Sequence, residues 1–206
     1  EKYVDPIWVK MDEEKLFNIE LIQKLAEMGV YGGVLSEDFG GSGATFTDIG
    51  LAMEEISSHD PSLVVSGAIG LSNSWPYILQ LYGSDEAKGE LLPKITSGKA
   101  FLGIASTEAQ SGTDLAGIQR VRATKIDDKR WVVEGEKSIV SGGRVIERMP
   151  WGGGWFTITR TAPLETRHRG LTDFIVLYKR DGKIVDGIRY SPYTQIGRHA
   201  MDTGSL

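Results

Sequence analysis

The sequence contains no cysteine, which excludes a disulfide framework, thiolate zinc sites and thiol catalysis and leans towards a reducing compartment. No apolar run reaches the ~18 residues of a membrane-spanning helix. Histidine is scarce. His59, His168 and His199 lie far apart, without metal-ligand spacing, and no Ser/His/Asp triad assembles around them. Each is read as a surface or capping residue. An excess of basic charge is also lacking: 23 Lys and Arg stand against 28 Asp and Glu, a formal net charge of -5, with a pI of about 5.3. Nucleic acid is therefore not an expected partner. The chain opens Glu-Lys-Tyr-Val-Asp, with neither an initiator Met nor an apolar segment typical of a signal peptide, which suggests a trimmed chain that is not secreted. There is no internal repeat or low-complexity segment.

What is present is enough apolar material, 40% of 206 residues, for one large packed domain or two small ones. The first half reads as helices. Leu16, Ile19, Ile22, Leu25 and Met28 form one apolar stripe at helical spacing, and Gly29 is placed to stop that helix. After the glycine-rich loop 35–43, Thr47 is the expected cap of a helix carrying Ile49, Met53 and Ile56, with Asp48 at its positive end. Asp60-Pro61 predicts another helix start, followed by a buried apolar run, Leu63 to Leu71. Ser84-Asp85-Glu86 opens a further helix that should yield near Pro93. After Lys99 the period shifts towards two. Trp155, Thr157 and Thr159 oppose Phe156 and Ile158, 130–134 and 174–179 are β-rich, and Asp127-Asp128 and Asp181-Gly182 read as turns, the latter of a hairpin. The expectation is an α+β chain: a helical domain over 1–98 and a β domain over 99–206. Pro150-Trp-Gly-Gly-Gly-Trp155 places three flexible residues between two indoles.

Three segments carry candidate chemistry. Gly40-Gly41-Ser42-Gly43 lacks the Lys-Ser/Thr of a P-loop and the third glycine and preceding strand of a dinucleotide fingerprint; it is read as a tight helix-to-helix connection. The strand-like run from Phe101 turns abruptly into Ser106, Thr107, Ser111 and Thr113, four hydroxyls within eight residues, with Gly112 allowing close backbone approach. Backbone nests and hydroxyls hold a diphosphate without net positive charge. By composition alone two readings remain, this one and the commoner ligand-free Ser/Thr-rich loop. The third segment runs from Lys137 to Gly143. There Val140 and Ser141 could offer a backbone N–H and a hydroxyl to a ring edge, or could simply end a strand in a Gly-Gly turn.

Taken in order, these segments resemble the acyl-CoA dehydrogenase family. Leu25-Ala-Glu-Met-Gly-Val30 and Ser36-Glu-Asp-Phe-Gly-Gly41 look like the family's first helices and its "PEE(Y/F)GG" loop. Tyr82-Gly83, Lys88 to Pro93 and Gly98 follow its next helical run. Ser106-Thr-Glu-Ala-Gln-Ser-Gly-Thr-Asp114 looks like "VTEPGAGSD", Val133-Glu-Gly-Glu-Lys137 like "INGQK", and 197–203 like "G.RG..T". The ordered set is specific and spans nearly the whole chain. The implied fold is a helical domain, then an antiparallel, barrel-like β domain, with the family's C-terminal helical bundle missing.

The resemblance implies FAD as cofactor and α,β-dehydrogenation of an acyl-CoA thioester, in fatty acid metabolism. Ile104, Ser106 and Thr107 would follow the flavin edge. Gly112 and Thr113 would lie towards the diphosphate, with Thr113 also near the thioester arm. Ile139 falls where the family often has a flavin-packing tryptophan, so indole packing is lost there, while Val140 and Ser141 face the central ring. His168 and Arg169 fall in the loop that reaches the coenzyme A nucleotide, where a surface-loop charge is an equal reading. The stretch 64–79 could wall the acyl tail or be plain helix packing, and 144–155 is longer than expected and would reshape the entrance. The family's catalytic glutamate usually comes from the C-terminal bundle, so no base is assigned. An electron-transfer flavoprotein is the implied electron acceptor, a homotetramer the implied assembly, and the bacterial cytoplasm or mitochondrial matrix the implied location. Two alternatives stay open: an oxygen-using oxidase or monooxygenase on the same fold, and a non-catalytic flavin- or CoA-binding subunit. Alone, the chain is expected to be inactive.

Overall fold

The computed structural model describes residues 2–118 and 120–206. Five helices come first: α1 (Trp8–Glu14), α2 (Ile19–Glu27), α3 (Phe46–His59), α4 (Val64–Tyr82) and α5 (Asp85–Thr96). Side chains mark the starts of α2 to α5. Asn18 caps α2 through Glu20 N and Ser84 caps α5 through Ala87 N. The cap of α3 is Thr45 rather than Thr47: Thr45 and Asp48 form a reciprocal capping box, which requires the acid three residues after the cap. The Asp60-Pro61 signal also shifts. The helix begins at Val64, and fully buried Asp60 reaches over Leu63 to accept from Val65 N at 2.8 Å. Pro93 does not end α5, which runs on to Thr96. The N–H it lacks would have met the carbonyl of Gly89, on the helix's exposed side. In α2 the buried stripe is Leu21, Ile22 and Leu25; Leu16 precedes the cap Asn18 and Met28 lies where the chain leaves the helix before Gly29 (φ +70), and both are exposed.

The second half forms a mixed, open sheet rather than a wholly antiparallel one. Its strands are β1 (Ala100–Ala105), β2 (Arg122–Lys125), β3 (Trp131–Glu134), β5 (Gly152–Arg160), β6 (Leu171–Arg180) and β7 (Lys183–Ile184), in the order β3-β2-β5-β6-β7. β1 lies parallel to the first part of β5, Ala100 opposite Gly152 through Ala105 opposite Thr157. β2 meets the same edge at Arg160, and β6 pairs antiparallel on the other side. Between β1 and β6, strand β5 is covered on both faces, so Trp155 and Phe156 are both buried and the expected one-sided alternation is absent. A second sheet joins β4 (Val140–Ser141), β9 (Thr203–Ser205) and β8 (Ser191–Pro192), and α6 (Gly143–Arg148) links β4 to β5. The hairpin at Asp181-Gly182 forms as expected, with φ of +49° and +77°, the signature of a type I′ turn.

One apolar core runs from the helices into the sheet. Helix α4 packs on the sheet through Trp75 against Phe156, ring centroids 6.3 Å apart. Its buried Asn73 accepts from Val34 N at 3.0 Å and donates to Val30 O at 2.9 Å, while Tyr31 OH donates to Ala100 O at 3.1 Å. The loop after α2 is thereby fastened both to α4 and to the first residue of β1. Among the described residues no helix is long and apolar enough to cross a membrane.

The Pro150–Trp155 stretch is where three strands converge. Gly153 has φ +138, and a Cβ there would sit 1.9 Å from Phe101 O; at this point β5 also carries a bulge against β6. Gly153→Ala is expected to destabilise the protein by on the order of 3 kcal/mol, read as a lowered denaturation midpoint. An unchanged midpoint would contradict the close approach of β1 and β5.

Candidate functional site

Where β1 ends, the chain enters the hydroxyl-rich turn 106–114, and its shape is set by two buried charges. The side chains of Glu108 and Lys137 are each 1% exposed, and Lys137 Nζ lies 3.2 Å from Glu108 Oε1. The ammonium also donates to Ser106 O at 3.0 Å. The carboxylate further accepts from Val121 N (2.9 Å), Arg120 N (3.0 Å) and Gln110 Nε2 (2.7 Å). Burial works against the charged carboxylate, yet these backbone N–H groups and the ammonium outweigh it and hold Glu108 below its ordinary value. Burial pulls Lys137 below the usual lysine range, with Glu108 pulling the other way. Ser138 N donates to Thr107 O at 2.8 Å, so the segment before β4 and the turn after β1 are fastened along their length.

Beyond this staple lies a cleft of about 350 Å³, lined by Leu63, Val64, Gly67, Gly70 and Leu71 of the α4 region, Gly103 and Ile104 of β1, Ile139, Ser141, Arg198 and Met201. Its size suits a small organic ligand. Ile139 is 67% exposed with a backbone φ of +57. A β-branched residue in the left-handed region is uncommon, and such conformations gather at functional sites. It persists because both flanks are fixed: Ser138 by its bond to Thr107, and β4 by Tyr190 OH to Val140 O (3.2 Å) and Trp155 Nε1 to Ser141 O (2.8 Å). Trp155 and Tyr190 stack, centroids 5.8 Å apart, beneath that strand. Ser141 Oγ is 3.3 Å from Thr203 Oγ1. A larger cavity, about 430 Å³, is lined by Val121, Lys137, Thr157, Arg189 and Leu206 among others. Val133 to Lys137 of the quoted motif line it, but none of the residues to which the resemblance gives a cofactor or substrate role does; three of those, Ile104, Ile139 and Ser141, line the smaller cleft, which is the better candidate.

The sequence-selected residues therefore fall into two groups. Ile104, Ile139 and Ser141 share the cleft wall, with half-buried Ser106 and Thr107 on the turn beside it. Val140 is fully buried, so it has only its backbone to offer a ligand. The second group is exposed: Gly112 and Thr113 on the turn, His168 and Arg169 in the loop between β5 and β6. Two arginines hold those loops together. Arg167 Nη2 lies 3.2 Å from Asp114 Oδ1. Buried Arg160 donates to Ile118 O (2.7 Å), Ala116 O (2.7 Å) and Arg167 O (2.6 Å).

Residues 1–99 match the family model of the acyl-CoA dehydrogenase N-terminal domain. The isobutyryl-CoA dehydrogenase of Dictyostelium discoideum is 32% identical over 138 residues, 67% of this chain and 32% of that protein. The acyl-CoA dehydrogenase of Bacillus subtilis is 31% identical over 175 residues, 85% of this chain and 44% of its own length. The acyl-CoA dehydrogenase structure from Geobacillus kaustophilus superposes with a TM-score of 0.84 at 27% identity, covering 99% of this chain and 50% of that one. The chain belongs to the acyl-CoA dehydrogenase family. It spans half or less of the length of these relatives.

Within that family fold, the site residues missed in the sequence are instructive. Glu108 and Lys137 sit in recognised motifs, but a carboxylate and an ammonium 29 positions apart do not announce a pair. The α4 wall had a signal in Gly67 and Gly70, one helical turn apart; a Cβ at Gly67 would meet nothing within 4 Å. Arg198 and Met201 reach the cleft from a turn that only the fold brings back.

Breaking the staple has a defined cost. Lys137→Met leaves a buried carboxylate without its cation and is expected to destabilise by ~3–5 kcal/mol, with the Glu108→Gln/Lys137→Met pair costing less than the sum of the single variants. Because Glu108 is held low in the fold, its contribution is fully present above the ordinary carboxyl value of 4.5 and is lost as pH falls through its lower folded value. Glu108→Gln should therefore flatten the acid limb of the stability–pH curve, measured by denaturant titration. An unchanged acid limb would contradict the assignment.

Proposed function

We propose that residues 1–98 and 99–206 are the helical and β-sheet parts of a flavin-dependent acyl-CoA dehydrogenase, with the flavin ring and the reacting acyl group sharing the cleft between α4 and the end of β1. The observation that carries this reading is the cleft itself: largely apolar walls suited to a flat ring and an acyl chain, with Ser141 as its one hydroxyl and Arg198 as its one charge among the described residues. The residues fit FAD. The Thr107 hydroxyl has no partner among the described residues, and a Cβ at Gly112 would find nothing nearer than Thr107 Cγ2 at 3.9 Å, so the backbone there is open to a diphosphate.

In this reading Ile104, Ser106 and Thr107 follow the ring edge, Ile139 packs on its face, the Val140 backbone and Ser141 hydroxyl meet its centre, and Gly112 and Thr113 take the diphosphate. His168 and Arg169 meet the phosphates of coenzyme A, for which an arginine's fork is suited, and Thr113 also borders the thioester arm. The chemistry FAD supplies when bound is acceptance of the hydride that leaves Cβ as the Cα proton is removed. Neither a carboxylate nor a histidine lines the cleft among the described residues, so the base is assigned to none of them. Dipoles around the thioester oxygen act more strongly in such an apolar, water-poor site. An electron-transfer flavoprotein as acceptor and a homotetrameric assembly complete the proposal.

The full-length protein should purify with a visible flavin spectrum, bleach anaerobically with an acyl-CoA, and be reoxidised by an electron-transfer flavoprotein faster than by oxygen. Absence of flavin, or no bleaching by any acyl-CoA, would contradict the reading; faster reoxidation by oxygen would favour an oxidase on the same fold.

A further inference from the structure

We propose that Arg198 makes the cleft selective for acyl groups that end in a carboxylate. The inference rests on the acyl-CoA reading of the cleft and adds the substrate class. Of the side chains lining the cleft only Ser141 and Arg198 are polar, and Arg198 alone is charged. The rest of the wall, from Leu63 and Leu71 to Ile104 and Met201, is apolar.

The arginine stands on a built turn. Its backbone is left-handed, φ +50. Gln195 Nε2 donates to Arg198 O at 3.0 Å and to Met201 O at 3.1 Å, and Met201 N donates to Arg198 O at 3.0 Å. The next residue is clamped to α1: His199 N lies 3.1 Å from Asp12 Oδ1, and its Nδ1 3.1 Å from Asp12 Oδ2.

The turn is thus fixed from three directions, while the guanidinium has no carboxylate partner among the described residues. The nearby acids are committed elsewhere. Asp12 serves His199, and buried Asp202 accepts from Arg144 N at 3.1 and 3.2 Å. Arg198 is an exposed residue on the cleft wall, and its planar fork matches a carboxylate in two parallel bonds. In this proposal the acyl chain runs along the α4 wall and its terminal carboxylate reaches Arg198.

The test uses the full-length protein and two unreactive thioether analogues of acyl-CoA, equal in length, one ending in a carboxylate and one in a methyl group. Calorimetry gives both affinities, and thermal unfolding confirms that each variant folds. The wild type should prefer the carboxylate by roughly tenfold or more. Arg198→Met should bring the ratio of the two affinities close to one, and Arg198→Lys, which keeps the charge but loses the fork, should give an intermediate ratio. A wild type that binds both analogues without preference overturns the proposal, as does an Arg198→Met protein whose two affinities fall by the same factor, since Arg198 would then be reading the coenzyme phosphates. If the wild type binds neither analogue, it is the acyl-CoA reading of the cleft that fails.

Discussion

The buried pair Glu108–Lys137 is the constraint on which the site depends. Two charges with side chains 1% exposed are costly to bury, and they persist because they pair with each other and with the backbone N–H and carbonyl groups around them. Among the described residues the carboxylate accepts from Val121 N, Arg120 N, Gln110 Nε2 and Lys137 Nζ, and the ammonium donates to Ser106 O as well as to the carboxylate. The geometric result matters more than the energy. One contact fixes the turn after β1, the approach to β2 and the segment before β4 relative to one another, and those are the parts that carry Ser106 and Thr107 and lead into Ser141. An apolar pair of the same volume could fill the space but could not specify which carbonyl and which N–H lie opposite.

Around that staple the helices and the sheet contribute different things. Helix α4 provides a wall with little side chain on it, and buried Asp60 and Asn73 hold that helix in place through backbone groups rather than through ion pairs. The sheet provides a floor. Glycines 152–154 let β5 run unusually close to its neighbours, and the stacked Trp155 and Tyr190 carry β4 above it. The left-handed residue Ile139 is exposed on the cleft wall rather than a member of the core.

Much of this was legible in the sequence, for reasons that can be named. The turn after β1, the switch from helices to strands near Lys99 and the Asp181-Gly182 hairpin are local signals, and each forms as expected, although β5 is buried on both faces and lacks the expected alternation. What failed was either degenerate or non-local. Thr45 and Thr47 are both good caps, and only the three-residue spacing to Asp48 selects the first. Asp60 has the composition of a cap next to a proline, but its carboxylate works from five residues away. Pro93 is tolerated because the carbonyl it leaves free faces solvent. The parallel pairing of β1 with β5 joins segments some fifty positions apart, and no local period encodes it. For the same reason Ile104, Ile139 and Ser141 could be named from the resemblance, whereas Arg198 and the glycines of α4 required the folded chain.

The most direct test of this account is native-state hydrogen exchange on the full-length protein with and without Lys137→Met. If the pair holds the site, the amides of Arg120, Val121 and Ser138 should lose protection together in the variant, while those in the centre of β6 keep theirs. If those three amides stay as protected as in the wild type, or if β6 loses protection by the same factor, the buried pair is not what holds the turn and β4 in register.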